Sequence, residues 1–206
     1  MRTTWRWPRD HDEGDLIVSE MDEVIPALVA AVQEQHATGD HYRDDAIRQA
    51  MEHQAQLALR PGPVRVDVIV DPPWSDGQIN SVQVVTGDRP FLVDTVVSCL
   101  LRHGWRVEDV RHPIIGVKRD RGTIEAVGMP GRGGCASESW IHIDATAPLG
   151  TDIGQAAEQL RDDLCACLDQ VVCATDDWGA MHEAMLRTAE LVSASSGPAD
   201  DRDSSR

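Results

Sequence analysis

Val64, Val66, Val68 and Val70 alternate with other residues at the period of a β-strand. Val82, Val84 and Thr86 repeat that period, predicting a second strand over 80–86. Gly87-Asp88 then breaks the alternation, and the spacing of apolar residues changes. Leu92/Val93, Val96/Val97 and Leu100/Leu101 recur every four residues, the single stripe of a helix over 90–103. Pro90 suits the first helical position, where a missing N–H costs nothing. Asp88 is expected to cap the helix by accepting the N–H of Phe91, and Gly104 to close its far end.

Upstream, Val24, Ile25, Leu28, Val29 and Val32 line one side of a helix that ends near His36, with Ser19 and Asp22 as a capping box. A second helix is predicted from about Tyr42 to Leu59, stopped by Pro61-Gly62-Pro63. Downstream, Arg106–Arg119 reads as one long strand carrying Pro113, which implies an edge position or a bulge. Asp120-Arg121-Gly122 is a hairpin turn, Thr123–Val127 the returning strand, and 128–137 a glycine-rich loop. Along the strand Glu138–Ala145, Ile141 and Ile143 share one face, and Trp140, His142 and Asp144 the other. Ile153, Ala156, Leu160, Leu164, Leu168 and Val171 form a helical stripe. A further helix restarts at Asp176-Asp177 and aligns Trp178, Met181, Met185 and Val192. The divisions expected are a ragged N-terminus over 1–18, a helical annex over 19–60, a domain over 61–192 and a disordered tail over 193–206. The fold class is α+β, an antiparallel sheet with helices packed on one face plus the N-terminal annex.

Charge narrows the partners. The chain has 19 basic and 35 acidic residues, a net charge of −16, which repels a phosphate backbone and argues against nucleic acid. No apolar run approaches the length of a membrane span, and the N-terminus has no signal-peptide core, so a cytoplasmic location is expected. Lys118 is the sole lysine, an arginine bias expected of a GC-rich bacterial genome. The five cysteines have no disulfide spacing.

The turn Asp88-Arg89-Pro90 followed by apolar helix residues resembles the first βα unit of ACT domains, small ferredoxin-like amino-acid-sensing modules. Further motifs follow it in order: His112-Pro113, Val117-Lys118-Arg119-Asp120, Glu138-Ser139-Trp140-Ile141-His142-Ile143-Asp144, and Asp177-Trp178 with Met181. Together they resemble the N-terminal ACT-like region of the large bacterial NAD-specific glutamate dehydrogenases. That resemblance implies a noncatalytic regulatory or assembly segment. The full-length reaction converts L-glutamate, NAD and water to 2-oxoglutarate, ammonium and NADH, with NAD bound in a catalytic domain outside this region. The implied partners are the remainder of such an enzyme or a second copy of the chain, with an amino-acid effector as a further expectation. The alternative is a free-standing ACT-type sensor of amino acids.

The residues themselves supply no catalytic set. Gly131-Arg132-Gly133-Gly134 lacks the spacing of a dinucleotide turn and leads into a strand, so it reads as a hairpin loop. Lys118 beside Arg119 reads as a solvated strand edge. Ser139 and His142, three apart on a strand, point to opposite faces and make no catalytic pair. Cys165, Cys167 and Cys173 read as small apolar residues, not as a metal set, and no cofactor is expected in this chain. The effector or interface turn is Asp88, Arg89, Pro90, Phe91 and Asp94. His112, Pro113, Ser139, Trp140 and His142 match the family motifs with no role assigned. Amino-acid-binding ACT domains typically carry glycine after Asp-Arg-Pro. Phe91 in that place shifts the expectation from ligand binding toward packing.

Overall fold

The computed structural model describes residues 16–17, 21–35, 44–75 and 77–195. They fall into two compact units, divided between Val171 and Val172. The Ser19 cap, the helix start at Tyr42 and all of the expected tail except 193–195 lie outside the described residues.

In the first unit the elements are β1 (Leu16–Ile17), α1 (Met21–Gln35), α2 (Asp44–Ala58), β2 (Val64–Ile69), β3 (Asn80–Gly87), α3 (Leu92–Arg102), β4 (Arg106–Arg111), β5 (Ile114–Asp120), β6 (Thr123–Gly128), β7 (Ala136–Thr146) and most of α4 (Ile153–Thr175). The strands form one antiparallel sheet in the order β1-β6-β5-β7-β3-β2, with β4 also on β7. β7 is the spine. On one side it pairs along the whole of β3, with Val84 opposite Ile141 and Val85 opposite Trp140. On the other it pairs with β4 over 142–146 and with β5 over 136–139. β3 and β4 are therefore parallel to each other, with β7 antiparallel between them and α3 as the crossover. This split βαβ unit is the ferredoxin-like arrangement of an ACT fold.

The strand expected over Arg106–Arg119 is two strands. Pro113 offers no N–H and holds the preceding residue extended, so the ladder breaks at His112-Pro113. The break is local: the Pro113 carbonyl accepts the Trp140 N–H at 3.0 Å. β7 pairs with β5 only over Ile114–Val117, so Lys118-Arg119 continues beyond it against β6 alone, with Lys118 exposed and Arg119 half-buried. Gly116 lets β5 meet β6, since a Cβ there would collide with the Gly128 carbonyl. Leu16–Ile17, expected to be ragged, pairs with β6 at Val127 and Ala126.

Both faces of the sheet are covered. Ile141, Ile143, Val82 and Val84 meet Leu92, Val96 and Leu100 of α3 and Leu160, Leu164 and Leu168 of α4. Trp140 and Val85, on the opposite face, pack with Val24 and Leu28 of α1 and Met51 and Ala55 of α2. The helical pair expected as an annex thus closes the second face. Each fully buried Leu or Ile contributes roughly 2 kcal/mol of apolar transfer.

In the second unit, α5 (Trp178–Ser195) carries Met181, Met185 and Val192, which are all exposed. Among the described residues no helix is long and apolar enough to cross a membrane.

Candidate functional site

The β3–α3 turn is built differently from the sequence expectation. Asp88 does not cap α3. Phe91 is the N-cap residue, with φ +71° and no side-chain cap, and its carbonyl accepts the Thr95 N–H at 3.0 Å. Pro90 consequently precedes the cap instead of opening the helix. A non-glycine side chain in the left-handed region costs about 1–2 kcal/mol, and here an aromatic residue holds it, 57% exposed. The far end does follow the sequence signal. Gly104 has φ +74°, its N–H donates to Leu101, and the Trp105 N–H donates to Leu100, a Schellman closure.

Released from capping, Asp88 turns toward β7. Its N–H donates to the Ser137 carbonyl at 2.8 Å, and its Oδ1 accepts the Ser139 hydroxyl at 2.6 Å. His112, at the β4–β5 break, places Nε2 2.9 Å from the same Ser139 Oγ. Ser139 is wholly buried, whereas Asp88 and His112 are exposed at the rim. The order of this chain decides its chemistry. Serine sits in the middle and gives its proton to a carboxylate, so the imidazole must donate Nε2–H to the hydroxyl. A nucleophilic serine needs the imidazole between hydroxyl and carboxylate, accepting the proton. The cluster is a hydrogen-bonded tie. Partial desolvation holds the His112 imidazole below its ordinary value, against the opposing pull of Asp88. Across the strand pair from Ser139, the Thr86 hydroxyl is buried and has no hydrogen-bond partner among the described residues.

Arg89 is half-buried and points Nε at the Gly87 carbonyl, 3.4 Å away. Asp94 is exposed in the first turn of α3, where a carboxylate suits the helix dipole. Asp88, Arg89, Pro90, Phe91 and Asp94 therefore share one turn, and the fold adds His112 and Ser139 to it.

Trp140 and His142 lie on the opposite face and join neither each other nor the turn. Trp140 is in the α1–α2 core, with Nε1 3.4 Å from Glu138 Oε2. Glu138 receives Arg119 at 2.6 and 3.0 Å, and the same guanidinium donates to the Ala58 carbonyl at the end of α2 at 3.0 Å. Arg119 is thus an internal clamp, while Lys118 faces Glu125 at the surface, 3.4 Å away. His142 belongs to a buried polar chain that the sequence did not reveal. The Gln83 amide donates to the Ala50 carbonyl at 3.0 Å and to His142 Nδ1 at 3.3 Å, while its oxygen faces His53 Nδ1 at 2.9 Å. His142 Nε2 lies 3.0 Å from Asp144, whose other oxygen accepts Arg111 at 2.6 Å. The available signal was Gln83 and His142 at in-facing positions of neighbouring strands, but their pairing depends on register.

Gly131–Gly134 lies between β6 and β7, a strand-to-strand loop closed by Cys135 N–H to Arg132 O at 2.8 Å. A dinucleotide turn must instead open a helix. Among the described residues no group of three or more His, Cys, Asp or Glu gathers to hold a metal ion. Cys165 and Cys167 pack against the α3–α4 core, and Cys173 is exposed.

The family model described as "Glutamate dehydrogenase, ACT1 domain" matches residues 27–164, about two thirds of the chain. The chain belongs to that family. The matched span takes in the β3–α3 turn, the His112-Pro113 break and β7, the elements that build the Asp88–Ser139–His112 tie. Among curated proteins, none matches.

Proposed function

We propose that this chain is a noncatalytic regulatory and assembly segment of an NAD-dependent glutamate dehydrogenase, acting through contacts with the remainder of the enzyme or a second copy. The full reaction is L-glutamate, NAD and water to 2-oxoglutarate, ammonium and NADH. The observation that carries the reading is the Asp88–Ser139–His112 tie within an ACT1 domain of that enzyme class. It orders the turn where an ACT module meets its surroundings, and the direction of its proton leaves no nucleophile. Phe91 stands exposed on that turn as an apolar anchor for a docking surface.

Sedimentation of the purified chain tests this, alone at several concentrations and mixed with the catalytic polypeptide of such a dehydrogenase. A mass increase in either series, lost with Phe91→Asp, is expected. An unchanging monomer in both overturns the assembly role.

The second reading, a free-standing amino-acid sensor, draws support from the buried Thr86 hydroxyl without a partner beside the turn. Such a group loses about 1–3 kcal/mol until something satisfies it. Calorimetric titration with the common amino acids separates the two. Binding heat abolished by Asp88→Ala favours the sensor, and no heat with any of them removes it.

A further inference from the structure

Every residue of α5 from Gly179 to Ser193 is exposed, so this 18-residue helix lacks the buried face that normally stabilises one. Met181, Met185, Thr188 and Val192 are spaced by four, three and four residues, the repeat of a coiled-coil seam. Ala184 and Ala189 flank that stripe, and with Met185, Thr188 and Val192 they line a hollow along it. The charges are elsewhere. Glu183, Arg187 and Glu190 fall on the opposite side of the helix, where Arg187 pairs with Glu183 at 3.4 Å.

We propose that this stripe pairs, antiparallel and about a two-fold axis, with α5 of a second copy of the chain. The proposal rests on the assembly reading above and deepens it by naming a surface and its occupant. The seam spacing is matched by a helix with the same repeat, which a second copy supplies. Antiparallel pairing sets Met181 against the partner's Val192 and Met185 against the partner's Thr188, a long side chain facing a short one in each layer. A parallel pair would instead stack methionine on methionine and threonine on threonine. Charge favours the same occupant. At a net charge of −16 two copies repel over most of their surface. The seam and its flanks, His182, Ala184, Ala189 and Leu191, hold no carboxylate, so two α5 helices meet with no acid facing acid. A partner recruited by its charge finds no ion on this stripe to pair with. A helix about 27 Å long makes a small interface, so the α5 pair and the Phe91 contact reinforce each other.

The test uses the full chain on a Cys173→Ser background, which removes an exposed native thiol. Two single variants, Met181→Cys and Val192→Cys, are mixed and mildly oxidised. A disulfide-linked dimer is expected in the mixture and in neither variant alone, because like positions lie about 16 Å apart along an antiparallel pair. Adding Met185→Ala to both chains keeps a strong helix former and should cut the link about tenfold, the loss of one buried methionine. Glu183→Ala, on the outer side, should leave the link unchanged. No link in the mixture overturns the proposal, even where the chain still associates with itself or with the catalytic polypeptide through Phe91, which leaves the assembly reading standing. A link within Met181→Cys alone overturns the antiparallel pair. Binding of the catalytic polypeptide that Met185→Ala abolishes, with no link in the mixture, gives the stripe a different occupant and overturns the proposal as well.

Discussion

On one face of β7, Glu138, His142 and Asp144 lie in the sheet interior beside Trp140, each tied to another protein group. On the other face, Ser139 precedes the apolar Ile141 and Ile143, and its partners Asp88 and His112 stand at the solvent rim. Strand alternation puts these two sets a single residue apart and yet in different surroundings. The difference lies in what replaces a lost partner. Gln83, Glu138, His142 and Asp144 are buried, so a broken pair there leaves a charge or amide unsatisfied. At the rim, solvent takes the place of a lost contact, and the tie serves to orient the turn more than to hold the fold.

The largest test of that contrast is Trp140→Ala. The side chain is wholly buried between sheet and helices, so about 4 kcal/mol of stability should be lost in urea titration. Less than about 1 kcal/mol would mean that α1 and α2 are not seated on that face. Next comes Arg119→Gln, which leaves Glu138 buried without its bidentate partner and should cost about 3 kcal/mol. Its neighbour Lys118→Gln, at the surface, should cost less than about 0.5 kcal/mol. Equal losses at the two positions would erase the distinction between clamp and rim.

At the turn, Ser139→Ala should cost about 1 kcal/mol, because Asp88 and His112 regain water. A loss as large as that of Arg119→Gln would place the tie among the core interactions. Phe91→Gly should be neutral or stabilising by about 0.5 kcal/mol, since glycine relieves the left-handed backbone at the expense of chain entropy. A clear destabilisation would show that the ring is packed, not an exposed anchor. The smallest effect concerns pH. The folded value of His112 lies below its unfolded one, so between the two the unfolded chain binds more protons. The His112 contribution is complete above the unfolded value of about 6.5 and is lost as pH falls through the folded value. His112→Gln should therefore narrow the stability difference between about pH 7.5 and about pH 5.5; an unchanged difference would remove His112 as its source.

Much of this was legible in residue periods. The valine alternation of β2 and β3, the four-residue stripe of α3 and its Gly104 closure all depend on neighbours a few positions apart. So did the opposite facing of Ser139 and His142. What could not be read depends on register and contact across distance. Asp88 looks like a helix cap until β7 places the Ser139 hydroxyl within 2.6 Å of it. Arg119 looks like surface charge until Glu138 and the Ala58 carbonyl take up its guanidinium. Gln83 carries no sign of its histidine neighbours His53 and His142, because they lie 30 and 59 positions away. The covering of the second face by α1 and α2 was likewise invisible, since an apolar stripe states that a helix is buried but not against what.

The most direct measurement is NADH formation by the purified chain supplied with L-glutamate and NAD. The proposed noncatalytic role, with a glycine-rich loop that joins two strands instead of opening a helix, predicts no NADH above the protein-free control. Sustained NADH formation that scales with chain concentration would contradict that account.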